Sequence, residues 1–320
     1  MKISVIAALV LSLAAASLAQ AQGYPTKTVR IIVGLAPGGT TDVFTRTLAQ
    51  RLTEAWGQTV IVENRPGASG MIGADAVAKS APDGYTLLVS PQTSLAVAPA
   101  LYGKAPYDTA KDFAPVSLLG STPLVMIVHP SFAAKSFGEF VALAKKGTPL
   151  TYGSGGVGSS PHMTGELISA ALGVKMNHVP YKGENPAIAD TIGGQIPIMF
   201  GNLPVALPHV RSGKVLALAT TTAKRSPLAP EIPTMSEGGI KDFEMATWYG
   251  MLAPAGTPPE LVQKIQRDSA RVLSDAQTRE RLTQMGVDLL LNTPEEFRTY
   301  LNAEIARYTK IIKSAGLKAE

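Results

Sequence analysis

Runs of apolar, β-branched residues alternate along the chain with segments in which apolar residues recur every three or four positions. The first three runs are Val29–Val33, Thr59–Glu63 and Tyr85–Ser90. Helical patterns follow them at Thr40–Trp56, Gly70–Ser80 and Thr93–Leu101. Buried parallel strands produce continuous apolar runs, and amphipathic helices produce the period of 3.6 residues. The alternation therefore predicts a βαβαβα unit with a parallel, doubly wound sheet.

The same alternation returns after Thr122. The strands predicted in this second series are Leu124–His129, Leu150–Gly153, Met176–Val179, Ile196–Phe200 and Val215–Thr220. Its predicted helices are Phe137–Lys146, Pro161–Leu172, Pro186–Ile192 and Leu203–Arg211. A further strand is predicted at Phe243–Leu252, and three helices follow it with no strand between them: Pro258–Leu273, Asp275–Met285 and Pro294–Ala315. The pattern predicts two doubly wound α/β domains, with the last helices packed onto one of them.

The length of 320 residues exceeds the usual size of one domain, which supports two domains with separate cores. The simplest path leaves the first domain near Thr122 and returns near Phe243. Domain 1 is therefore predicted to be discontinuous, with residues 22–121 and 243–320, and domain 2 to comprise residues 122–242. The two crossing segments would act as a hinge, with a ligand cleft between the domains.

The N-terminus has the pattern of an export signal. Lys2 precedes the apolar run Ile3–Leu18, and Ala19-Gln20-Ala21 provides a small-x-small cleavage site. The run is shorter than the roughly 20 residues needed to span a bilayer. We therefore interpret residues 1–21 as a cleaved signal peptide, and we expect the protein to act in the periplasm.

Composition and spacing exclude several kinds of chemistry. The chain has no cysteine, which excludes disulfides, thiolate nucleophiles and thiolate metal sites. The excess of 29 Lys+Arg over 24 Asp+Glu is scattered, without a basic cluster, so we expect no nucleic-acid partner. The four histidines are far apart and do not form H-E-x-x-H. We expect no metal and no cofactor.

A glycine-rich turn follows the first predicted strand. It comprises Leu35, Ala36, Pro37, Gly38 and Gly39, and Thr40 begins the next helix. Glycine allows backbone N–H groups to approach a ligand, and a helix start adds unpaired donors and partial positive charge. The turn is predicted to bind an anion. An ordinary βα turn with Thr40 as N-cap fits the same residues, and we interpret Asp42 as a capping residue because its charge would repel an anion.

A second glycine-rich turn lies between another strand and its helix. Gly153, Gly155 and Gly158 formally match G-x-G-x-x-G, but a dinucleotide site needs an acidic residue about 20 positions further on. That region has Val179-Pro180-Tyr181, which argues against a dinucleotide. We predict a second anion-binding turn facing the first, with candidate ligand residues Ser154, Gly155, Gly158, Ser159 and Ser160.

Other polar residues leave alternatives open. Gln92 and Thr93 follow the third predicted strand, where open α/β sheets bind ligands, but an ordinary polar turn explains them equally well. His162 could pack in a helix turn, contact ligand or act in catalysis. The sequence around Ser154 does not form G-x-S-x-G, and no catalytic triad can be assembled. A binding protein is favoured over the alternative, an exported hydrolase or lyase of small acids.

Several motifs occur together in one known family. They are Tyr24–Arg30, Ala36–Gly39, Val62–Gly67, Ala81–Leu88, Val179–Gly183 and Leu252–Pro258. In combination they resemble the Bug-type periplasmic receptors of the tripartite tricarboxylate transporter class. The resemblance covers essentially the whole chain after the signal peptide. It implies a two-lobed Venus-flytrap fold, like that of periplasmic binding proteins, without enzymatic activity.

The resemblance also implies a ligand and a partner. Ligands of such receptors include dicarboxylates, aromatic carboxylates, other organic acids, some amino acids and nicotinic-type compounds. We expect a small carboxylate, either a dicarboxylate or an aromatic carboxylate, captured for uptake through a membrane permease. A sensor protein is the alternative partner. We expect the receptor itself to be a monomer.

The chain departs from the family pattern at one place. Many members have Phe-Asp-Asn-Leu-Pro where this chain has Phe200-Gly201-Asn202-Leu203-Pro204. The change removes a carboxylate beside the expected cleft. We expect extra room there and a ligand other than an amino acid. Gly201 and Tyr181 complete the candidate ligand-binding residues.

Overall fold

The structure is a computed structural model that describes residues 23–317. The predicted signal peptide, residues 1–21, lies outside the described residues. The strands are β1 (Val29–Val33), β2 (Val60–Asn64), β3 (Thr86–Pro91), β4 (Phe113–Val128), β5 (Leu150–Ser154), β6 (Met176–Pro180), β7 (Ile198–Asn202), β8 (Leu216–Thr220), β9 (Ala246–Pro254) and β10 (Asp288–Leu289).

The helices connect these strands on both faces of the sheet. They are α1 (Thr40–Trp56), α2 (Met71–Ala78), α3 (Ala98–Tyr102), α4 (Phe137–Lys145), α5 (Ser160–Leu172), α6 (Glu184–Ile192), α7 (Leu203–Arg211), α8 (Pro259–Leu273), α9 (Ala276–Gln284) and α10 (Pro294–Ala315). A 3₁₀ turn, Ala68–Gly70, precedes α2, and a π-helical turn, Thr93–Val97, precedes α3. Between residues 23 and 317, none of these helices combines the length and apolar character needed to cross a membrane.

The strands form one continuous sheet in the order β2-β1-β3-β9-β4-β7-β5-β6, with β8 and β10 also paired to β4. Strands β1, β2 and β3 pair in parallel at one end, and β5, β6 and β7 pair in parallel at the other. We call these two groups, with their helices, the first and second lobes. The predicted α/β fold with two doubly wound halves is confirmed.

The sheet is not purely parallel, which corrects the expectation from the βα alternation. Strand β9 is antiparallel to β3 and β4, and β4 is antiparallel to β7 and β8. Strand β9 lies between β3 and β4 and is antiparallel to both, so β3 and β4 run in the same direction and are connected through the helical segment 93–102. These two antiparallel strands therefore join the parallel groups at the middle of the sheet.

Strand β4 is much longer than predicted, because the prediction began at Leu124 and the strand begins at Phe113. Pro115 and Gly120 interrupt the apolar pattern, and proline and glycine ordinarily argue against a strand interior. In the structure, both residues lie at register shifts between β4 and β9. Bulges of this kind absorb residues that regular pairing excludes.

The pairing partners of β4 change along its length. Its first part pairs with β9 as far as Pro123, opposite Ala246, and its last part pairs with β7 from Leu124, opposite Asn202. The strand therefore passes from one lobe to the other near the crossing point expected from the sequence. The exact division into domains stays a prediction.

The C-terminal helices pack on the first lobe and on β4. The prediction that no strand interrupts them is wrong, because the two-residue strand β10 lies between α9 and α10 and pairs with β4. Trp248 and Tyr249 on β9 are both buried. The Trp248 indole donates to Glu304 on α10 at 2.9 Å, and Tyr249 stacks on Phe44 of α1. These contacts fix β9 between the helix layers.

Candidate ligand-binding cleft

A cleft of about 620 Å³ lies between the two glycine-rich turns. Four helices, α1, α5, α6 and α7, begin on its wall. Their N-cap residues, which all line the cleft, are Gly39, Ser159, Gly183 and Asn202. Each helix start has backbone N–H groups without an intrahelical partner and a partial positive charge. Their convergence favours an anionic ligand.

The start of α1 has donors that no side chain satisfies. Its N-cap is Gly39, with extended backbone (φ −77°, ψ 168°) and no side-chain capping bond. Thr40 is the first helical residue, which corrects its expected role as the N-cap. Because Gly39, Thr40 and Thr41 line the cleft, the N–H groups of this turn are available to an anion.

Asp42 stabilises the turn before α1. Its Oδ2 accepts from the N–H of Gly38 at 2.9 Å and from Nε of Arg46 at 3.0 Å, and its Oδ1 accepts from Asn64 at 2.9 Å. Burial alone would raise the pKa of Asp42, but these hydrogen bonds outweigh it and hold the pKa below its ordinary value. The ionised carboxylate thus holds Gly38 at φ +86°, a backbone conformation that favours glycine. Asp42 therefore fixes the shape of the first glycine-rich turn.

The second turn, before α5, is held by hydroxyl groups. The Ser159 Oγ donates to the carbonyl of Gly156 at 2.7 Å and accepts from the N–H of His162. The buried Ser154 Oγ lies 2.7 Å from Nε2 of His178 and accepts from the N–H of Gly156. Ser154 therefore supports the turn from behind and is not on the cleft wall.

Gln92 connects the end of β3 to the second lobe. Its Nε2 donates to Oγ of Ser160 and to the carbonyl of Ala246, both at 2.9 Å, and its Oε1 accepts from the N–H of Trp248 at 2.8 Å. The amide is buried and uses its hydrogen bonds within the protein. Its neighbour Thr93 lines the cleft instead. Gln92 thus positions Ser160.

Two histidines lie beneath the second turn, and His162 is buried while His178 is partly buried. His162 and His178 stack with ring centroids 3.9 Å apart. Burial lowers the pKa of His162 to about 3 and that of His178 to about 4, so both rings are neutral at physiological pH. The N–H of Gly158 donates to Nδ1 of His162 at 3.0 Å. Of the alternatives left open for His162, the packing role fits these contacts.

The structure brings many of the predicted ligand residues together. On the cleft wall are Leu35, Gly38, Gly39, Thr40, Thr93, Gly155, Ser159 and Ser160. Predicted residues that are absent from the wall are Pro37, Gln92, Ser154, Gly158, Tyr181 and Gly201. Tyr181 donates to Asp190 at 2.6 Å, and a Cβ on Gly158 would lie 3.1 Å from Leu101. Tyr181 and Gly158 therefore lie against other parts of the protein.

Several residues of the cleft wall were not predicted from the sequence. They include Ser69 in the first lobe, Thr247 on β9, and, in the second lobe, Lys182, Gly183, Glu184, Asn185 and Asn202. Lys182 and Gly183 lie between β6 and α6, and Asn202 is the last residue of β7, directly before α7. Ligands of open α/β sheets bind at the carboxyl ends of strands, and that rule applied to β6 and β7 would have found both segments.

Glu184 occupies the side of the cleft near Gly201. Its Oε1 accepts from Nδ2 of Asn202 at 2.5 Å, and its Oε2 accepts from the N–H of the same residue at 3.3 Å. Burial raises the pKa of Glu184 to about 7 despite these bonds. A Cβ on Gly201 would lie 4.0 Å from Oε2 of Glu184. The room expected from the missing aspartate is therefore partly filled by another carboxyl group.

A sheet with parallel groups at its two ends and a cleft lined by helix starts between them is the architecture of a periplasmic-type binding protein. Residues 44–317 match the Tripartite tricarboxylate transporter family receptor, and the chain belongs to that family. Members of this family are solute-binding receptors, not enzymes. Across residues 23–317, no three His, Asp or Glu side chains are grouped so that they could hold a metal ion.

Known proteins resemble this chain over nearly its whole length. Protein BugT of Bordetella pertussis is 37% identical over 300 residues, which cover 93% of this chain and 92% of the relative. A structure of an R. palustris protein with adipate is 35% identical with a TM-score of 0.82, covering 92% of this chain and 99% of that one. MatC from Rhodopseudomonas palustris with bound malate is 32% identical with a TM-score of 0.78, covering 90% and 100%.

Proposed function

We propose that this protein is exported to the periplasm and captures a small organic carboxylate in the described cleft for uptake by a membrane permease. One observation carries the proposal, namely the four helix starts that surround a single cleft, with the α1 start lacking any side-chain cap. A ligand carboxylate would take the place of the missing cap. Backbone donors at a helix start recognise a carboxylate without a counter-cation.

The hydroxyl groups of Ser159 and Ser160 in the second lobe differ in whether they can still donate a hydrogen bond to a ligand. The Ser159 hydroxyl donates its hydrogen to Gly156. The Ser160 oxygen accepts from Gln92, which leaves its own hydrogen free to donate. We assign the carboxylate to the first-turn N–H groups of α1 and to the Ser160 hydroxyl. In this arrangement, groups from both lobes bind the same carboxylate.

A dicarboxylate or an aromatic carboxylate is the proposed ligand class. The cleft volume is typical of sites for small molecules. Two relatives with the same fold have structures with adipate and with malate, which are both dicarboxylates. An aromatic carboxylate is supported by Tyr249, which lines the cleft although most of its ring is buried.

We infer that the lobes close on the ligand by a hinge. The change of β4 partners between Pro123 and Leu124 supports one crossing, and the segment before β9 supplies the other. A ligand favours closure only if it gains contacts in the closed state. The Ser160 hydroxyl supplies such a contact from the second lobe.

The test is thermal-shift screening of the mature protein, expressed without residues 1–21, against organic acids in the presence of a chelator. At least one carboxylate should raise the unfolding temperature and be recovered unchanged. Stabilisation that required added metal or nucleotide would contradict the proposal. N-terminal sequencing of the periplasmic fraction should start at Gln22, and native mass spectrometry should give a monomer with one acid bound.

A further inference from the structure

One carboxyl group lies in a cleft that otherwise attracts anions. Glu184 is the first residue of α6, and its side chain reaches over Gly155 toward Asn202. Within residues 23–317, it makes no ion pair with lysine or arginine. Among the residues that the structure describes, only the backbone and side-chain amides of Asn202 donate to it. An ionised carboxylate has spare acceptor sites beyond these two bonds.

The surroundings of Glu184 fix this arrangement. The Oδ1 of Asn202 accepts from the hydroxyl of Thr247 at 2.8 Å, so the Asn202 amide is oriented with its NH₂ toward Glu184. Tyr249 on β9 lies near enough that the charge of Glu184 contributes to its raised pKa, after the larger effect of burial. The carboxyl group is therefore held in place before a ligand arrives.

The other charged groups on the cleft wall do not neutralise Glu184. Asp42 on α1 is negative and is already paired with Arg46. Lys182 precedes α6, is exposed and forms no ion pair with Glu184 in the described part of the chain. Asp190, further along α6, accepts from Tyr181. A ligand carboxylate placed beside an ionised Glu184 would meet repulsion in a partly dry site.

We propose that Glu184 determines ligand specificity because it requires a hydrogen-bond donor on the part of the ligand that lies beside α6. An ammonium, a hydroxyl or a protonated carboxyl group provides this donor, whereas a fully ionised dicarboxylate binds only together with one proton. Glu184 thereby provides the acceptor that Gly201 lacks, from another position in the sequence. The inference rests on the proposed carboxylate-binding function.

Burial of Glu184 supports the proton-linked part of this inference. Its pKa of about 7 means that protonation costs little near neutral pH. A dicarboxylate that needs the protonated form should bind about tenfold more weakly at pH 8 than at pH 6, because the protonated fraction falls by about that factor. A ligand with a hydroxyl or ammonium group should lose much less.

The experiment is isothermal titration calorimetry with succinate, malate, 4-hydroxybutyrate and 4-aminobutyrate as probes. Each is measured at about pH 6 and pH 8, in two buffers with different heats of ionisation, which gives the number of protons taken up. The wild type should show about a tenfold loss of succinate affinity at the higher pH, with proton uptake. Glu184→Gln should remove most of the pH dependence and the proton uptake.

A matched control separates this role from a structural one. Asp288→Asn alters another carboxyl group with a raised pKa, far along the chain on β10, and should leave the pH dependence of binding intact. If Glu184 served only to cap α7, Glu184→Gln would lower the unfolding temperature but keep the order of affinities and the proton uptake, which would overturn the inference alone. If none of the four acids, nor any acid in the thermal-shift screen, bound either protein, the proposed function would fail and the inference with it.

Discussion

The substitution Gly39→Val tests whether the start of α1 holds the ligand carboxylate. The backbone of Gly39 is extended, with a negative φ that valine adopts without strain. A Cβ at this position would meet no protein atom within 4 Å. Because Gly39 lines the cleft, the added side chain must extend into the space where the ligand would lie. The variant should therefore fold normally and bind poorly.

The magnitude follows from the hydrogen bonds that the valine side chain obstructs. A hydrogen bond to a charged group contributes roughly 1.5–3 kcal/mol. Loss of two such bonds from the first turn costs at least about 3 kcal/mol. Since about 1.4 kcal/mol corresponds to a tenfold change, the dissociation constant should rise by about 100-fold or more.

The assay is calorimetry with whichever acid the thermal-shift screen identifies, and Gly138→Val is the matched control. Gly138 lies on the exposed face of α4, its φ is outside the left-handed region, and a Cβ there makes only an ordinary contact at 3.9 Å. Both variants should keep a wild-type unfolding temperature without ligand. A Gly39→Val dissociation constant within about threefold of the wild type would refute the assignment of the anion site to α1.

Three further predictions address the hinge, the histidine pair and the sheet. Small-angle scattering should give a smaller radius of gyration with saturating ligand, and an unchanged radius would contradict a hinge at Pro123. Unfolded histidine binds a proton below a pH of about 6.5, whereas His162 and the partly buried His178 stay neutral in the folded protein, so these rings lower stability as the pH falls from about 7 to about 5. In denaturant unfolding at both pH values, His178→Gln should remove about 1–2 kcal/mol of that loss, and an unaltered difference would contradict the burial effect. Gly250→Ala should destabilise the protein by about 1–3 kcal/mol, because its Cβ would lie 2.2 Å from the Phe297 ring; an unchanged unfolding midpoint would show that Phe297 can move aside.

The amino-acid sequence by itself predicted most of the local structure. Strand β1 and helices α1 and α7 have the predicted bounds, because apolar periodicity and helix-start residues act over a few neighbouring positions. The π-helical turn at Thr93–Val97 was not predicted. Its residues lie in a segment whose apolar spacing predicts an ordinary helix. The first half of β4 was missed because bulges accommodate Pro115 and Gly120, and bulges depend on the partner strand.

In the candidate site, too, some features follow from the local sequence and others depend on the tertiary structure. The glycine-rich turns before α1 and α5 follow from residues adjacent in sequence, and their N-caps line one cleft. The contact between Glu184 and Asn202 depends on β7 pairing with β5 beside β6, so that the starts of α6 and α7 become neighbours. The sequence was equally compatible with a ligand contact and with a polar turn at Gln92, whereas tertiary packing brings Ser160 and Trp248 to its amide. Local pattern determines where a helix begins, whereas the order of strands in the sheet determines which helix starts share a cleft and which polar groups remain free for a ligand.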